Sequence, residues 1–200
     1  MPGHGTMFER ILAFEQELAK FTGAPYAIMT DCCTHAIELC LRYRQVQRVQ
    51  FSAFTYISVV MTMHKLGIEY QLVPERWRGE YRFYGTDIWD SARRLEPNMY
   101  RAGQMQCLSF GVGKPLSVGR GGAILLDDAA AYQDLIAMRY DGRDLTVLPW
   151  IEQQTFRVGY HYRPTVEEAD AALIKLQELT NNPPAIQDHQ YPDCRTITIV

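Results

Sequence analysis

Cys107-Leu-Ser-Phe-Gly-Val-Gly-Lys-Pro-Leu-Ser-Val-Gly-Arg-Gly-Gly-Ala-Ile-Leu-Leu126 sets one lysine, Lys114, between two apolar runs, Met105 to Phe110 and Ala123 to Leu126. Runs of this length, bounded by glycine, read as buried strands. The glycines at 111, 113, 119, 121 and 122 permit tight turns and close approach of backbone to a ligand. A lysine on such a loop can be desolvated, which favours its neutral amine and makes it a Schiff-base nucleophile. The same residues would also suit a surface lysine joining two strands, and the rest of the chain has to decide.

Outward from this stretch, strands and helices alternate. Thr6 and Glu9 form a capping box ahead of a helix that Gly23 stops, and Tyr26 to Thr30 follows as a short strand. A second helix starts at Thr34. Val49 to Ser52 reads as a strand, Tyr56 to Leu66 as a helix and Ile68 to Val73 as a strand. Pro74 to Gly85 is turn-rich and reads as loop, and Thr86 to Trp89 is a short strand ending at Asp90. Beyond the lysine stretch, Asp127 or Asp128 caps a helix. Residues 143–163 read as irregular, and a second capping box, Thr165 with Glu168, opens the last helix. This order predicts an α/β fold, a mostly parallel sheet with helices on both faces. Ligands in such folds bind outside the carboxyl ends of strands, which is where Asp31-Cys-Cys-Thr34, Ser52 to Tyr56 and Asp90-Ser-Ala92 fall.

Composition narrows the class. The 200 residues are 47% hydrophobic, enough for one buried core, and the net charge of -3 supplies no global field to attract nucleic acid or a membrane surface. The five cysteines form no Cys-x-x-Cys pair and fit a reducing compartment better than a disulfide framework or a zinc site. The first residues lack the basic and apolar regions of a signal peptide, and no apolar run reaches membrane-spanning length, so a cytoplasmic protein is expected.

Individual residues suggest chemistry. Cys32-Cys-Thr34 joins a strand to a helix start, where free amides and the helix dipole suit a phosphate, although Thr34 would serve equally as a plain cap. Asp90, beside small residues, could hold a proton on a pyridine-type nitrogen or simply cap the segment after it. Tyr56 could stack on a ring or belong to the core.

The order of these segments resembles the fold-type-I pyridoxal-phosphate enzymes, and among them the DegT-like sugar aminotransferases. Asp31-Cys-Cys-Thr-His-Ala-Ile37 is similar to the family's phosphate turn, with Cys33 in place of its usual glycine. Phe54-Thr-Tyr-Ile-Ser58 resembles the segment whose aromatic covers the cofactor ring, and Asp90-Ser-Ala92 the one that holds the ring nitrogen. Ser109-Phe-x-x-x-Lys114 with Gly-Arg-Gly-Gly122 is similar to the segment bearing the phosphate-binding serine and the cofactor lysine. Arg139-Tyr-Asp-Gly142 and Val158 to Arg163 resemble later signatures.

The resemblance implies a pyridoxal 5'-phosphate cofactor carried by Lys114, the catalytic residue. Cys33, Thr34 and Ser109 would hold its phosphate, while Asp90, Ala92 and Tyr56 would surround its ring. Lys114, where related dehydratases have histidine, implies transamination from glutamate or glutamine to a keto-sugar, nucleotide-linked. Arg93, Arg120, Tyr160 and Arg163 are the candidates for binding that anionic acceptor. The family's homodimers share their active sites, which implies a homodimer here, with His161 reaching the neighbouring cofactor. Arg93 and His161 replace the family's usual residues at their positions.

The stretch from Tyr56 to Asp90 is shorter than in relatives. Residues 1–180 therefore correspond to a reduced version of the large domain, without the small C-terminal domain, and 181–200 to a tail that could add an edge strand. The alternative reading is a cofactor-binding protein of altered or lost chemistry.

Overall fold

The computed structural model of the chain describes residues 7–147 and 149–199. Helix α1 runs from Met7 to Thr22, and Gly23, at φ 75°, ends it. Thr6, expected to cap this helix, lies outside the described residues, as does Val200. Strand β1 (Tyr26–Thr30), α2 (Cys33–Tyr43), β2 (Arg48–Ser52), α3 (Ile57–Leu66) and β3 (Glu69–Val73) follow in the expected order. Next come β4 (Tyr81–Arg82), β5 (Ile88–Asp90), β6 (Met105–Ser109) and β7 (Gly122–Leu126), then α4 (Ala129–Arg139) and α5 (Val166–Asn181). Asp128 caps α4 by accepting from the amides of Ala130 and Ala131, and the Thr165–Glu168 capping box opens α5. Strand β4 lies inside the expected loop, since two residues are too few to show any period.

The central sheet has the order β1-β7-β6-β5-β4, with β2 and β3 forming a separate parallel pair. The expectation of a mostly parallel sheet is corrected here. Of the four pairings in the central sheet, β1 with β7, β6 with β7 and β4 with β5 are antiparallel, and only β5 with β6 is parallel. The reason lies in the connections. Parallel neighbours need a long crossover, usually a helix, whereas β6 and β7 are joined by a glycine-rich loop that turns back on itself. Strands β1, β5 and β6 still run in one sense. Their carboxyl ends therefore meet the amino end of β7 along one edge, with Thr30 and Ser109 both opposite Gly122.

Successive side chains alternate between two cores, as the period of a strand requires. Ile28, Cys107 and Ile124 pack on one face with Leu39 and Cys40 of α2. Met29, Leu108 and Leu125 pack on the other with Phe14 and Leu18 of α1 and Ala172 and Leu176 of α5. Helices thus cover both faces, as expected. Around Met29 the two layers are tied by a buried ion pair between Glu15 and Arg139; Glu15 Oε1 also accepts from the Met29 amide at 2.7 Å, and Arg139 donates to the Met29 carbonyl at 2.6 Å. Arg139→Met strands a carboxylate in the core and is expected to cost about 3–5 kcal/mol. A urea unfolding curve that leaves the midpoint in place would contradict this.

The edge strand expected at Thr196–Val200 does not form among the described residues. Cys194–Thr196 make a 3-10 turn instead, and the tail crosses the sheet edge over the site. No helix among the described residues is long and apolar enough to cross a membrane.

Candidate active site

A cavity of about 390 Å³, in the size range of small-molecule and cofactor sites, opens where the ends of β1, β5, β6 and β7 converge. One wall is the start of α2. Its N-cap residue, Cys32, makes no side-chain capping bond, which leaves the end of the helix dipole free for an anion. Thr34 adds a hydroxyl at this wall, paired with Ser58 at 2.6 Å, and Ser109 stands opposite at the end of β6. The wall is held close by Gly122, where an added Cβ would lie 2.4 Å from the amide nitrogen of Cys33. The close approach expected of these glycines is therefore backbone against backbone, beneath the site.

The floor carries Asp90, only 5% exposed. Its carboxylate accepts from the Ala92 amide at 3.0 Å. Burial pushes its pKa up, and the hydrogen bonds from Ala92 and Tyr81 and the charge of Lys114 pull only partly against that. Burial beside Asp90 likewise pushes the Cys33 thiol well up, keeping it neutral. Lys114 lies on the turn after β6, where its amide reaches the Gly111 carbonyl at 3.2 Å. Its ammonium donates to the phenol oxygen of Tyr191 at 2.6 Å. Tyr56, at the head of α3, and Ala92 border the cavity, with Arg93 and Arg120 at its mouth.

The corner beneath Arg120 has its own charge arrangement. Asp31 accepts from Arg120 at 2.8 Å and pairs with His35 at 2.6 Å, one helical turn away. Burial disfavours a charge on His35, but its hydrogen bonds to Asp31 and Cys32 outweigh this and carry the pKa up to about 9. The ring stacks on Tyr162 with 3.6 Å between centroids. Ligand atoms of Asp31, Cys32 and His35 lie within 4.8 Å of one another. His35 and Arg120 both pair with Asp31, however, so its carboxylate is already engaged by two side chains. A raised folded pKa means that the folded chain holds the proton longer. The stabilisation is complete below pH 6.5 and is lost as pH rises towards 9. Wild-type melting temperature is expected to fall across that window, and His35→Gln to flatten the fall; parallel curves would contradict the assignment.

Not every expected residue reaches the cavity. Tyr160 lies in a separate open groove of about 580 Å³, which holds none of Lys114, Asp90 or Ser109, and its ring lies under the Arg42 guanidinium at 4.4 Å. The Arg163 guanidinium sits over the Tyr140 ring at 5.2 Å, beside the Glu15–Arg139 pair. The His161 side chain is 70% exposed and pairs with Asp141 at 3.1 Å. The segment turns this way because Tyr162 is bound to the buried Glu38 of α2 at 3.0 Å and to Lys65 of α3 at 2.8 Å. Sequence reading missed Ser58, His35 and Tyr191 as site residues. The Asp31–His35 spacing of four on a helix start was a usable signal for one of them; nothing local marks Tyr191.

The model of the DegT/DnrJ/EryC1/StrS aminotransferase family matches residues 2–74 and 98–183. Lys114, Thr34, Ser109 and Tyr56 lie within the match, whereas Asp90, Ala92, Arg93 and Tyr191 lie outside it. A sequence comparison with curated proteins finds no match. Among solved structures, 3-amino-5-hydroxybenzoic acid synthase is similar at a TM-score of 0.71 and 20% identity, over 86% of this chain and 56% of that one. DesV of S. venezuelae is similar at 0.68 and 18%, over 86% and 57%. A GDP-4-keto-6-deoxymannose-3-dehydratase with bound GDP-perosamine is similar at 0.68 and 15%, over 88% and 62%. The chain thus spans less than two thirds of the length of each, and the likeness is one of fold. With the family model matched over most of its length, the chain belongs to the DegT/DnrJ/EryC1/StrS aminotransferase family.

Proposed function

We propose that this protein is a pyridoxal-phosphate-dependent aminotransferase that moves an amino group from glutamate or glutamine to a keto-sugar, one linked to a nucleotide. The observation that carries the reading is the convergence of Lys114, buried Asp90 and the open N-terminus of α2 in a single cavity. The donor set fits the cofactor. Thr34, Ser109 and the amides at the start of α2, beside Cys33, would hold the phosphate. Asp90, costly to ionise where it is buried, would be compensated by a protonated ring nitrogen. Ala92 and Tyr56 would bracket the ring. When bound, pyridoxal phosphate supplies an electron sink for breaking bonds next to the amino group.

The chain's own residues do the rest. Lys114 would tether the cofactor and move a proton as general base and acid. Arg93 and Arg120, at the mouth, would take the acceptor's diphosphate through charge-assisted hydrogen bonds. Tyr160 and Arg163 are too far out of the cavity to share that task within one chain. His161, exposed in one chain, would reach the cofactor of a second copy in a homodimer with shared sites. The free cysteines support a reducing, cytoplasmic setting.

A second reading, a cofactor-holding protein without turnover, draws on the same cavity and on the absence of Tyr160 and Arg163 from it. One experiment separates the two. Glutamate or glutamine added to cofactor-loaded protein should convert the visible absorbance to that of the pyridoxamine form, and a nucleotide-linked keto-sugar should restore it. A spectrum that no amino donor alters, with cofactor bound, leaves the second reading in possession.

A further inference from the structure

We propose that Tyr191 is a positioning residue for Lys114, delivered by a strap of residues 186–194 that roofs the cavity. The inference deepens the function above and rests on Lys114 being the lysine that carries the cofactor.

The strap is pinned on both sides of Tyr191. Upstream, the Gln187 carbonyl accepts from the Gly79 amide at 2.9 Å, and the Gln187 amide donates to the Arg93 carbonyl at 3.1 Å. The Gln187 side chain accepts from the Arg93 guanidinium at 3.1 Å, and the His189 ring stacks on Phe54 with centroids 5.2 Å apart. Downstream, the buried Cys194 donates its amide to the Ala53 carbonyl at 2.9 Å and its thiol to the Thr55 carbonyl at 3.3 Å. Between these anchors Trp77 lies 5.3 Å from the His189 ring and 6.0 Å from that of Tyr191.

The phenol is thereby fixed while the lysine is not. Lys114 is a flexible four-carbon stem on a glycine turn, and it needs an acceptor to hold its ammonium in one place. The Tyr191 oxygen accepts from Nζ at 2.6 Å, a charge-assisted bond. The same ring faces the Arg93 guanidinium at 5.3 Å, so one side chain touches both the lysine and a cation at the mouth. Tyr191 lines the cavity rather than plugging it, for the 390 Å³ is the space that remains with the ring in place. Without the phenol oxygen, Nζ loses the contact that aims it.

The test is Tyr191→Phe in the full chain, which keeps the ring and removes only the acceptor. In cofactor-free protein, labelling of Lys114 by an acetylating ester, measured by peptide mass spectrometry against Lys175, should rise about fivefold as the ammonium is released. In loaded protein, the single-turnover rate with glutamate should fall about tenfold and its pH profile should move, while cofactor affinity stays within about twofold. Labelling and rate both unchanged, with borohydride still trapping cofactor on Lys114, would overturn this inference alone. No cofactor on Lys114 after borohydride would overturn both it and the functional reading. Should Tyr191→Phe fail to fold, Gln187→Pro, which removes the amide that donates to the Arg93 carbonyl and the side chain that accepts from the Arg93 guanidinium, loosens the strap's upstream anchor and keeps the phenol. It should raise Lys114 labelling in the same direction, and an unchanged rate would overturn the proposal.

Discussion

On the proposed function, Lys114→Ala is expected to remove turnover by about 10⁴-fold or more, since it would take away the nucleophile that tethers the cofactor and the group that moves the proton. Some cofactor should still bind, because Thr34, Ser109 and the start of α2 are untouched. Borohydride should then trap nothing covalently in the variant, while wild-type protein should yield one adduct, mapping to Lys114. An adduct on Lys65 or Lys175 in wild-type protein would displace Lys114 from its role. Lys65 already has other partners, Glu38 at 2.9 Å and the Tyr162 hydroxyl at 2.8 Å, so the expectation for it is structural.

Asp90→Asn should separate stability from activity. Its folded pKa is raised, so the folded chain binds the proton more readily than the unfolded one, and stability falls as pH climbs above 3.8. The amide carries no such cost. Cofactor-free Asp90→Asn protein should therefore melt higher than wild type at neutral pH, measured by calorimetry, while turnover falls about 10²–10³-fold for want of a carboxylate against the ring nitrogen. A variant with full activity would make Asp90 a structural turn residue, held by its hydrogen bonds from the Ala92 amide and the Tyr81 hydroxyl.

The two substitutions probe residues whose visibility in the sequence differed. Lys114 stood out because glycines and apolar runs surround it within a few positions, and Asp90 because it ends a strand beside small residues. Each environment is local, and the structure puts both in one cavity. Arg93 and Arg120 are there too. Tyr160, His161 and Arg163 were legible as a segment similar to a later family signature, with His161 expected at the neighbouring site and Tyr160 and Arg163 at the acceptor. Which way that segment faces depends on Tyr162 meeting Glu38, 124 residues away.

Apart from β4, helix and strand positions, a cap at Asp127 or Asp128, the Thr165 cap and the lysine turn were set by the sequence itself, since the period of apolar residues and the chemistry of a cap act within a few residues. The direction of β7 was not, because strand polarity depends on how the loop after Lys114 packs, and an apolar run reads the same either way. Neither was the roof of the site. Tyr191 meets Lys114 across 77 residues, through anchors on Gly79, Arg93 and Ala53 that no periodicity records. Only the folded chain brings that phenol and that ammonium within hydrogen-bonding distance.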